Sequence, residues 1–207
     1  MLSLSLAVLL LLGTPGPGVL TLAGVGATFG RRHGLTFFTG LWSGHNLVCV
    51  LVVLGLAAVL LAAPVLRLAL AILSTLYLLW LALKIALAGT DFDFIQKSNP
   101  PGFCGGLLLQ AINPKAYAVS TLVFANFPLG FANLSVELAI KFLIFNVVWV
   151  ISHGTWLLMG VSVRRLGLNA ANQRRINLAL AVSLVIVVLI AGYHLITEAQ
   201  TGLVKPA

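Results

Sequence analysis

Charged residues are scarce in this sequence, and acidic residues are the scarcest of them. Only 8% of the 207 residues are charged, which is too little polar surface for a soluble domain of this size. The acids are Asp91, Asp93, Glu137 and Glu198, all near the ends of apolar runs. A divalent-metal exporter normally carries carboxylate or clustered histidine ligands, so we expect no metal site and keep metal export only as an alternative.

Cysteine is also rare, with only Cys49 and Cys104, and neither belongs to a CxxC motif. A membrane thiol–disulfide electron carrier built from two inverted halves uses one cysteine in each half. Here each half has one cysteine, but Cys49 falls in the second run of its half and Cys104 at the start of the first run of its half. The two positions do not correspond, so the symmetry that such a carrier needs is absent. We expect small, buried thiols, and the electron carrier stays a lesser alternative.

The G-x-S-x-G turn of a serine hydrolase is missing as well. Ser43 with His45 and Ser152 with His153 are the nearest candidate pairs. Residues one or two apart on a helix do not face each other. We therefore expect no enzyme activity, no catalytic residues and no cofactor.

Apolar residues make up 60% of the chain, and the mean hydropathy is +1.11. A helix needs about 20 apolar residues to cross the hydrocarbon core of a bilayer. Six runs meet that length: residues 2–29, 36–63, 65–88, 102–127, 138–163 and 176–197. The sequence predicts an all-α polytopic membrane protein with about six transmembrane helices in a single domain, 1–207. The first run follows no basic segment, so we expect it to be retained rather than cleaved as a signal.

The net charge of +8 is explained by topology rather than by nucleic-acid binding, because the basic residues occupy short loops. One side of the membrane receives Arg31, Arg32, Lys84, Lys97, Arg164, Arg165, Arg174 and Arg175. The opposite side receives only Arg67, Lys141 and Lys205. Since cytoplasmic loops are enriched in lysine and arginine, we predict that the odd-numbered loops are cytoplasmic and that both termini lie outside the cytoplasm.

A polar loop over about residues 91–101 divides the chain into repeat one, about 1–90, and repeat two, about 102–207. Three spans in each half give the halves opposite orientations, which is the condition for an inverted repeat. Each half begins with a helix that proline interrupts, at Thr14-Pro15-Gly16-Pro17 and at Asn113-Pro114-Lys115. The fold prediction therefore includes two inverted three-helix repeats with proline-broken helices 1 and 4.

The two breaks predict a substrate site, because unpaired backbone groups in a bilayer must face protein, water or ligand. The predicted binding residues at the breaks are Thr14, Pro15, Gly16, Pro17, Gly18, Asn113, Pro114 and Lys115. Lys115 lies about 13 residues into its apolar run, and a charge at that depth by default marks a functional site.

Polar stripes on the neighbouring helices extend this prediction. Helix 2 carries Trp42, His45 and Asn46 on one face, and helix 5 carries Asn146, Trp149 and His153 at related positions. Helix 4 adds Tyr117 beyond its break. We predict that Trp42, Asn46, Tyr117, Asn146 and Trp149 contribute to substrate binding, although an asparagine such as Asn146 equally serves as hydrogen-bonding glue between helices.

Several motifs match a known family in order and spacing. They are Thr14-Pro15-Gly16-Pro17, the glycine-spaced stretch 24–34, Gly40, Gly44 and Gly55, Tyr77-Leu78-Leu79-Trp80-Leu81, Gly102-Phe103 and Asn113-Pro114-Lys115. On these motifs the sequence resembles the LysE/RhtB family of amino-acid exporters along essentially its whole length. The resemblance implies a secondary transporter in the bacterial inner membrane that exports amino acids or close analogues, driven by an ion gradient, which we expect to be the proton gradient.

One position departs from the family pattern. Where members commonly carry an aspartate after the helix 2 glycine, this chain has His45 after Gly44. Histidine titrates near neutral pH, so His45 and His153 are the predicted proton-coupling residues. The missing acid favours neutral or hydrophobic amino acids over lysine and arginine.

The predicted partners are a small-molecule substrate and the lipid bilayer. A homodimer is an open alternative, because small residues let helices pack closely within one chain or between two. The residues concerned are Gly24, Gly26, Gly30 and Gly34. Export of another small solute also stays open.

Overall fold

The computed structural model describes residues 1–13, 16–55, 63–87 and 100–203. These ranges form seven helices and contain no strand: α1 (Leu2–Gly13), α2 (Pro17–Val53), α3 (Pro64–Ala86), α4 (Phe103–Ile112), α5 (Pro114–Asn126), α6 (Leu134–Arg165) and α7 (Ala170–Leu203). Four segments are long and apolar enough to cross a membrane: Pro17–Val53, Leu68–Ala86, Leu134–Arg165 and Ala170–Ile190. The predicted all-helical class is confirmed, and the helices agree with a polytopic membrane protein.

Helix boundaries fall at both of the predicted breaks, where helices begin at Pro17 and Pro114. Helix α1 ends at Gly13 and α2 begins at Pro17, after an extended Gly16 with φ of −154°. Between α4 and α5 the helix is interrupted by Asn113 alone, with φ of −77° and ψ of 110°. Proline suits the first position of a helix because an N–H at that position would have no acceptor within the helix, so its absence costs nothing. Thr14, Pro15 and most of the predicted 91–101 loop lie outside the described residues.

Helix α2 turns back on itself at Gly30, whose φ of 82° and ψ of −176° belong to a region that glycine alone adopts readily. A Cβ atom built on Gly34 would lie 3.6 Å from the Cα of Gly26, whereas a straight helix separates residues eight apart by about 12 Å. Two legs result, residues 17–29 and 31–53. The loop predicted around Arg31 and Arg32 is therefore wrong in detail, because both arginines belong to the start of the second leg.

Side chains from α6 and α7 hold the end of the first leg. Arg164 donates to the carbonyl oxygen of Thr28, and Gln173 Nε2 donates to that of Ala27 at 3.4 Å. The last carbonyls of a helix have no partner within the helix, and cations are favourable near them. Hydrogen bonds from α6 and α7 thus hold the turn at Gly30 in place.

The second leg of α2 packs directly against α4. A Cβ atom on Gly40 would overlap the carbonyl of Phe103, and one on Gly106 would overlap the carbonyl of Phe37. This glycine-on-backbone contact brings the helix axes close together. It seats Phe37, Leu41 and Leu109 in the core, all of them fully buried.

The glycines considered for a dimer contact side chains of the same chain. Gly24 faces Ile85, Gly26 and Gly34 face Leu157, and Gly30 faces Arg164. These residues pack the helices of one chain together. The homodimer stays a prediction.

Candidate functional site

The two helix breaks meet in the interior of the protein. A Cβ atom on Gly16 would lie 3.0 Å from Nζ and 3.2 Å from Cδ of Lys115, so this side chain from the second break lies directly over the first. A Cβ atom on Gly18 would lie 3.4 Å from Nε2 of His153 and 3.7 Å from Oε1 of Gln110. Polar groups from α4, α5 and α6 therefore converge on the start of α2.

Side chains satisfy backbone groups that the breaks leave open. Asn113 Oδ1 accepts a hydrogen bond from the backbone N–H of Lys115 at 3.1 Å. The hydroxyl of Tyr117 donates to the carbonyl of Ala111 at 2.8 Å, and that of Ser152 donates to the carbonyl of Leu12 at 3.1 Å. Such partners are what allows non-helical backbone at membrane depth.

A small cavity of about 40 Å³ lies where the breaks meet, which is room for a few water molecules. Its lining comprises Leu12, Gly16, Pro17, Gly18, Val19, His45, Gln110, Asn113, Lys115, Ala116, Val119, Phe145, Trp149 and His153. Among these described residues none is acidic, and Lys115 brings a positive charge. The cavity is therefore suited to an anionic group.

Trp149 stacks with two histidine rings. His153 stacks on the indole with centroids 3.7 Å apart and planes at 11°, and His45 lies on it at 5.2 Å and 17°. All three side chains are at most 4% exposed. The indole N–H has no acceptor among the described residues, and an unsatisfied buried donor costs about 1–3 kcal/mol. A ligand that supplied an acceptor there would recover that cost.

The ring of His153 has a defined orientation. Its Nδ1 lies 3.1 Å from the carbonyl oxygen of Trp149. Because a carbonyl only accepts, Nδ1 carries the proton and Nε2 is the atom left to gain or release one. That second nitrogen is the one that faces Gly18.

The cysteines are placed differently from each other. Cys49 is buried, with Sγ 3.7 Å from both Nε2 of His45 and Oγ of Ser120. Cys104 is exposed at the second position of α4, so the prediction of a buried thiol is wrong for it. In the part of the chain that the structure describes, no three His, Cys, Asp or Glu side chains come together as metal ligands would.

Some predicted binding residues lie away from this cavity. Trp42 Nε1 donates to Asn146 Oδ1 at 2.7 Å, and Asn146 Nδ2 donates to Asn46 Oδ1 at 3.1 Å. This network links the second leg of α2 to α6, and Trp42 is 42% exposed. Tyr117 likewise does not line the cavity. A role of these four residues in binding stays a prediction.

A second, larger cavity of about 510 Å³ lies between α3 and α7. It reaches Gly16, Pro17, Asn113, Pro114 and Lys115 and is otherwise walled by small and aliphatic side chains. Sequence reasoning missed this cavity because aliphatic residues in an apolar run carry no signal of a site. It considered Ser152 only as a hydrolase residue and missed its bond to the first break, because the partner Leu12 is 140 residues away in the chain.

Comparison with known proteins adds a family to this geometry. No curated protein and no solved structure matches the chain. The family model described as LysE type translocator matches residues 9–198. This match includes both helix breaks and every residue that lines the small cavity. The chain therefore belongs to the LysE type translocator family and is a membrane transport protein.

Proposed function

We propose that the protein is a secondary transporter that exports an amino acid or a close analogue, and that the carboxylate of the substrate binds where the two helix breaks meet. The observation that carries the proposal is the contact of Lys115 with Gly16 in a cavity without an acidic lining residue among those described. Burying a charged lysine inside the membrane is costly, and pairing it with an anionic group offsets that cost.

The surroundings of Lys115 favour a carboxylate for two further reasons. The first leg of α2 and helix α5 both begin at this point, with Pro17 and Pro114, and the N-terminal ends of helices attract anions. The indole N–H of Trp149, which has no acceptor among the described residues, is a donor on the cavity wall. A substrate carboxylate would accept from it.

The ammonium group of the substrate would be bound by neutral oxygens. Asn113 and Gln110 line the cavity, and carbonyl groups at the end of α1 are close by, since Leu12 is also a lining residue. Among the described lining residues none is a carboxylate, so a second positive charge on the substrate would have no acidic partner there and would be repelled by Lys115. We therefore propose a zwitterion with an uncharged side chain.

The same proposal includes six crossings of the bacterial inner membrane. They are α1 with the first leg of α2, the second leg of α2, α3, α4 with α5, α6, and α7. This arrangement gives two inverted halves with both termini outside the cytoplasm, and the helix break at the start of each half supports it. A cavity of about 40 Å³ must widen to admit an amino acid, as alternating access between the halves requires.

We further propose that His153 and His45 couple transport to protons. Both rings lie against Trp149, and Nε2 of His153 faces the break at Gly18. Export driven by an inward proton gradient requires that proton and substrate move in opposite directions, so protonation must weaken substrate binding. His153 Nε2 and Gln110 Oε1 both face Gly18, so a proton taken up at this nitrogen from the outside would repel the substrate's ammonium group and favour its release. Loss of the proton to the cytoplasm would restore the site for the next substrate.

The test is accumulation of labelled neutral amino acids in inside-out vesicles from cells that produce the protein, with and without an uncoupler. We expect uptake of at least one amino acid that the uncoupler abolishes. Lys115→Met should lose it, and the matched Lys84→Met, which replaces a lysine outside both cavities, should retain it. No uptake of any amino acid, or full activity of Lys115→Met, would contradict the proposal.

A further inference from the structure

The small polar cavity and the large apolar cavity adjoin at the helix breaks. Four residues belong to both linings: Gly16, Pro17, Asn113 and Lys115. A ligand bound at Lys115 is therefore next to a space of about 510 Å³ between α3 and α7. The two cavities differ in chemistry as much as in size.

The wall of the apolar cavity comes from residues such as Ala71, Leu78, Val187 and Val188. Ser74 and Thr75 are the hydroxyl groups in its described lining, and Lys115 at the breaks is the charged group. A polar side chain placed there would lose hydrogen bonds to water without replacement. An aliphatic side chain would gain from leaving water in proportion to its area.

On the basis of the proposed function, we propose that the apolar cavity receives the side chain of the exported amino acid. The carboxylate lies at Lys115, the α-carbon lies beside Asn113, and the side chain extends between α3 and α7. The protein then selects zwitterions with a large aliphatic side chain, of the leucine and isoleucine type, over alanine and glycine. A lipid acyl chain is the competing occupant, because Ile72 and Leu76 of the same wall are 49% and 60% exposed.

The test fills the cavity from each wall separately. Ala71→Leu adds three carbons from α3, and Gly192→Leu adds a side chain from α7, where a Cβ atom would meet no other atom within 4 Å. Ala69→Leu is the matched control, since the same change is made on the same helix at a residue outside the lining. The measurement is transport of leucine and of alanine by purified protein in proteoliposomes, after each variant has been shown to elute as folded protein in detergent.

We expect wild-type protein and Ala69→Leu to prefer leucine. Both filling variants should lower the leucine-to-alanine ratio of kcat/KM by about tenfold or more, the range over which small changes in apolar volume act in a binding pocket. Two filling variants on different helices keep the test decisive if one of them does not fold.

The other outcomes separate this inference from the proposed function. If wild-type protein transports neither amino acid nor any other zwitterion, the exporter proposal fails and this inference fails with it. If alanine is preferred, or if filling lowers both rates equally, export stands and the side-chain site is wrong. If native mass spectrometry finds a lipid that Ala71→Leu displaces while leucine transport is unchanged, the cavity holds an acyl chain and the inference is overturned.

Discussion

The ring of His153 stacks on the indole of Trp149 at a centroid distance of 3.7 Å. The same indole N–H has no acceptor among the described residues. Stacking fixes the plane of the indole. Within that plane, the buried N–H points in one direction, and an acceptor is needed there. The pair therefore combines a candidate proton carrier with a candidate ligand donor in a single rigid unit.

Trp149→Phe tests the donor and leaves an aromatic ring for the histidines. A hydrogen bond to a charged acceptor contributes about 1.5–3 kcal/mol, so we expect KM for the transported amino acid to rise by about tenfold or more. Trp156→Phe, on the same helix and outside the cavity, is the control. An unchanged KM in Trp149→Phe would show that the carboxylate does not reach the indole.

Gly16→Ala tests the contact between the two breaks. The extended backbone of Gly16 accepts alanine without strain, but the new methyl group would press on Lys115 at 3.0–3.2 Å. We expect transport to fall by about tenfold, because small displacements of a binding group have large effects on rate. Gly13→Ala is the matched control, since a Cβ atom there meets nothing within 4 Å; equal loss in both variants would contradict the assignment.

Gly30→Ala tests the turn in α2. A residue with a side chain at φ of 82° and ψ of −176° is strained by about 1–3 kcal/mol, so the variant should unfold at a lower temperature in detergent. Gly154→Ala should be neutral or stabilising, because Gly154 lies inside α6 with open space at its Cβ position. Circular dichroism during heating measures both, and equal melting temperatures would argue against the turn.

Ser152→Ala tests how the first break is held. The variant loses the hydrogen bond to the carbonyl of Leu12 and leaves that group without its side-chain donor. We expect a loss of about 1–3 kcal/mol in the free energy of unfolding. Ser183→Ala removes a hydroxyl that bonds only within its own helix, to the carbonyl of Ala179, and should change stability little. Steric-trap or denaturant titrations would distinguish the two.

Sequence reasoning located the parts of the fold that depend on backbone chemistry. Proline removes a helix hydrogen bond and kinks or breaks the helix, so the interruptions at Pro17 and Pro114 could be predicted, and so could the place of Lys115 directly after the second one. The turn at Gly30 could not be predicted. In the sequence, a glycine in an apolar stretch could serve either for close packing or for a positive φ. The contact of Gly26 with Gly34 shows that Gly30 serves the turn.

The polar stripes were harder to interpret than the breaks. Helical periodicity gives the direction of a side chain around the axis, but it does not give the neighbour at each level along the axis. His45 and Trp42 were predicted on one face, yet His45 lines the cavity while Trp42 bonds Asn146 elsewhere on α6. The large cavity left no trace in the sequence at all, because Ala71 and Gly192 are ordinary residues of apolar helices.

The length of the turn in α2 fixes the rotational phase of everything that follows it in that helix. Each residue of an α-helix advances the direction of its side chain by about 100°. One residue inserted or deleted at Gly30 would therefore turn His45 by that angle, away from the ring of Trp149 on which it now lies. A substitution in this turn would therefore change mainly the stability of the protein. A change in the length of the turn would rotate the second leg and change which of its residues face the core.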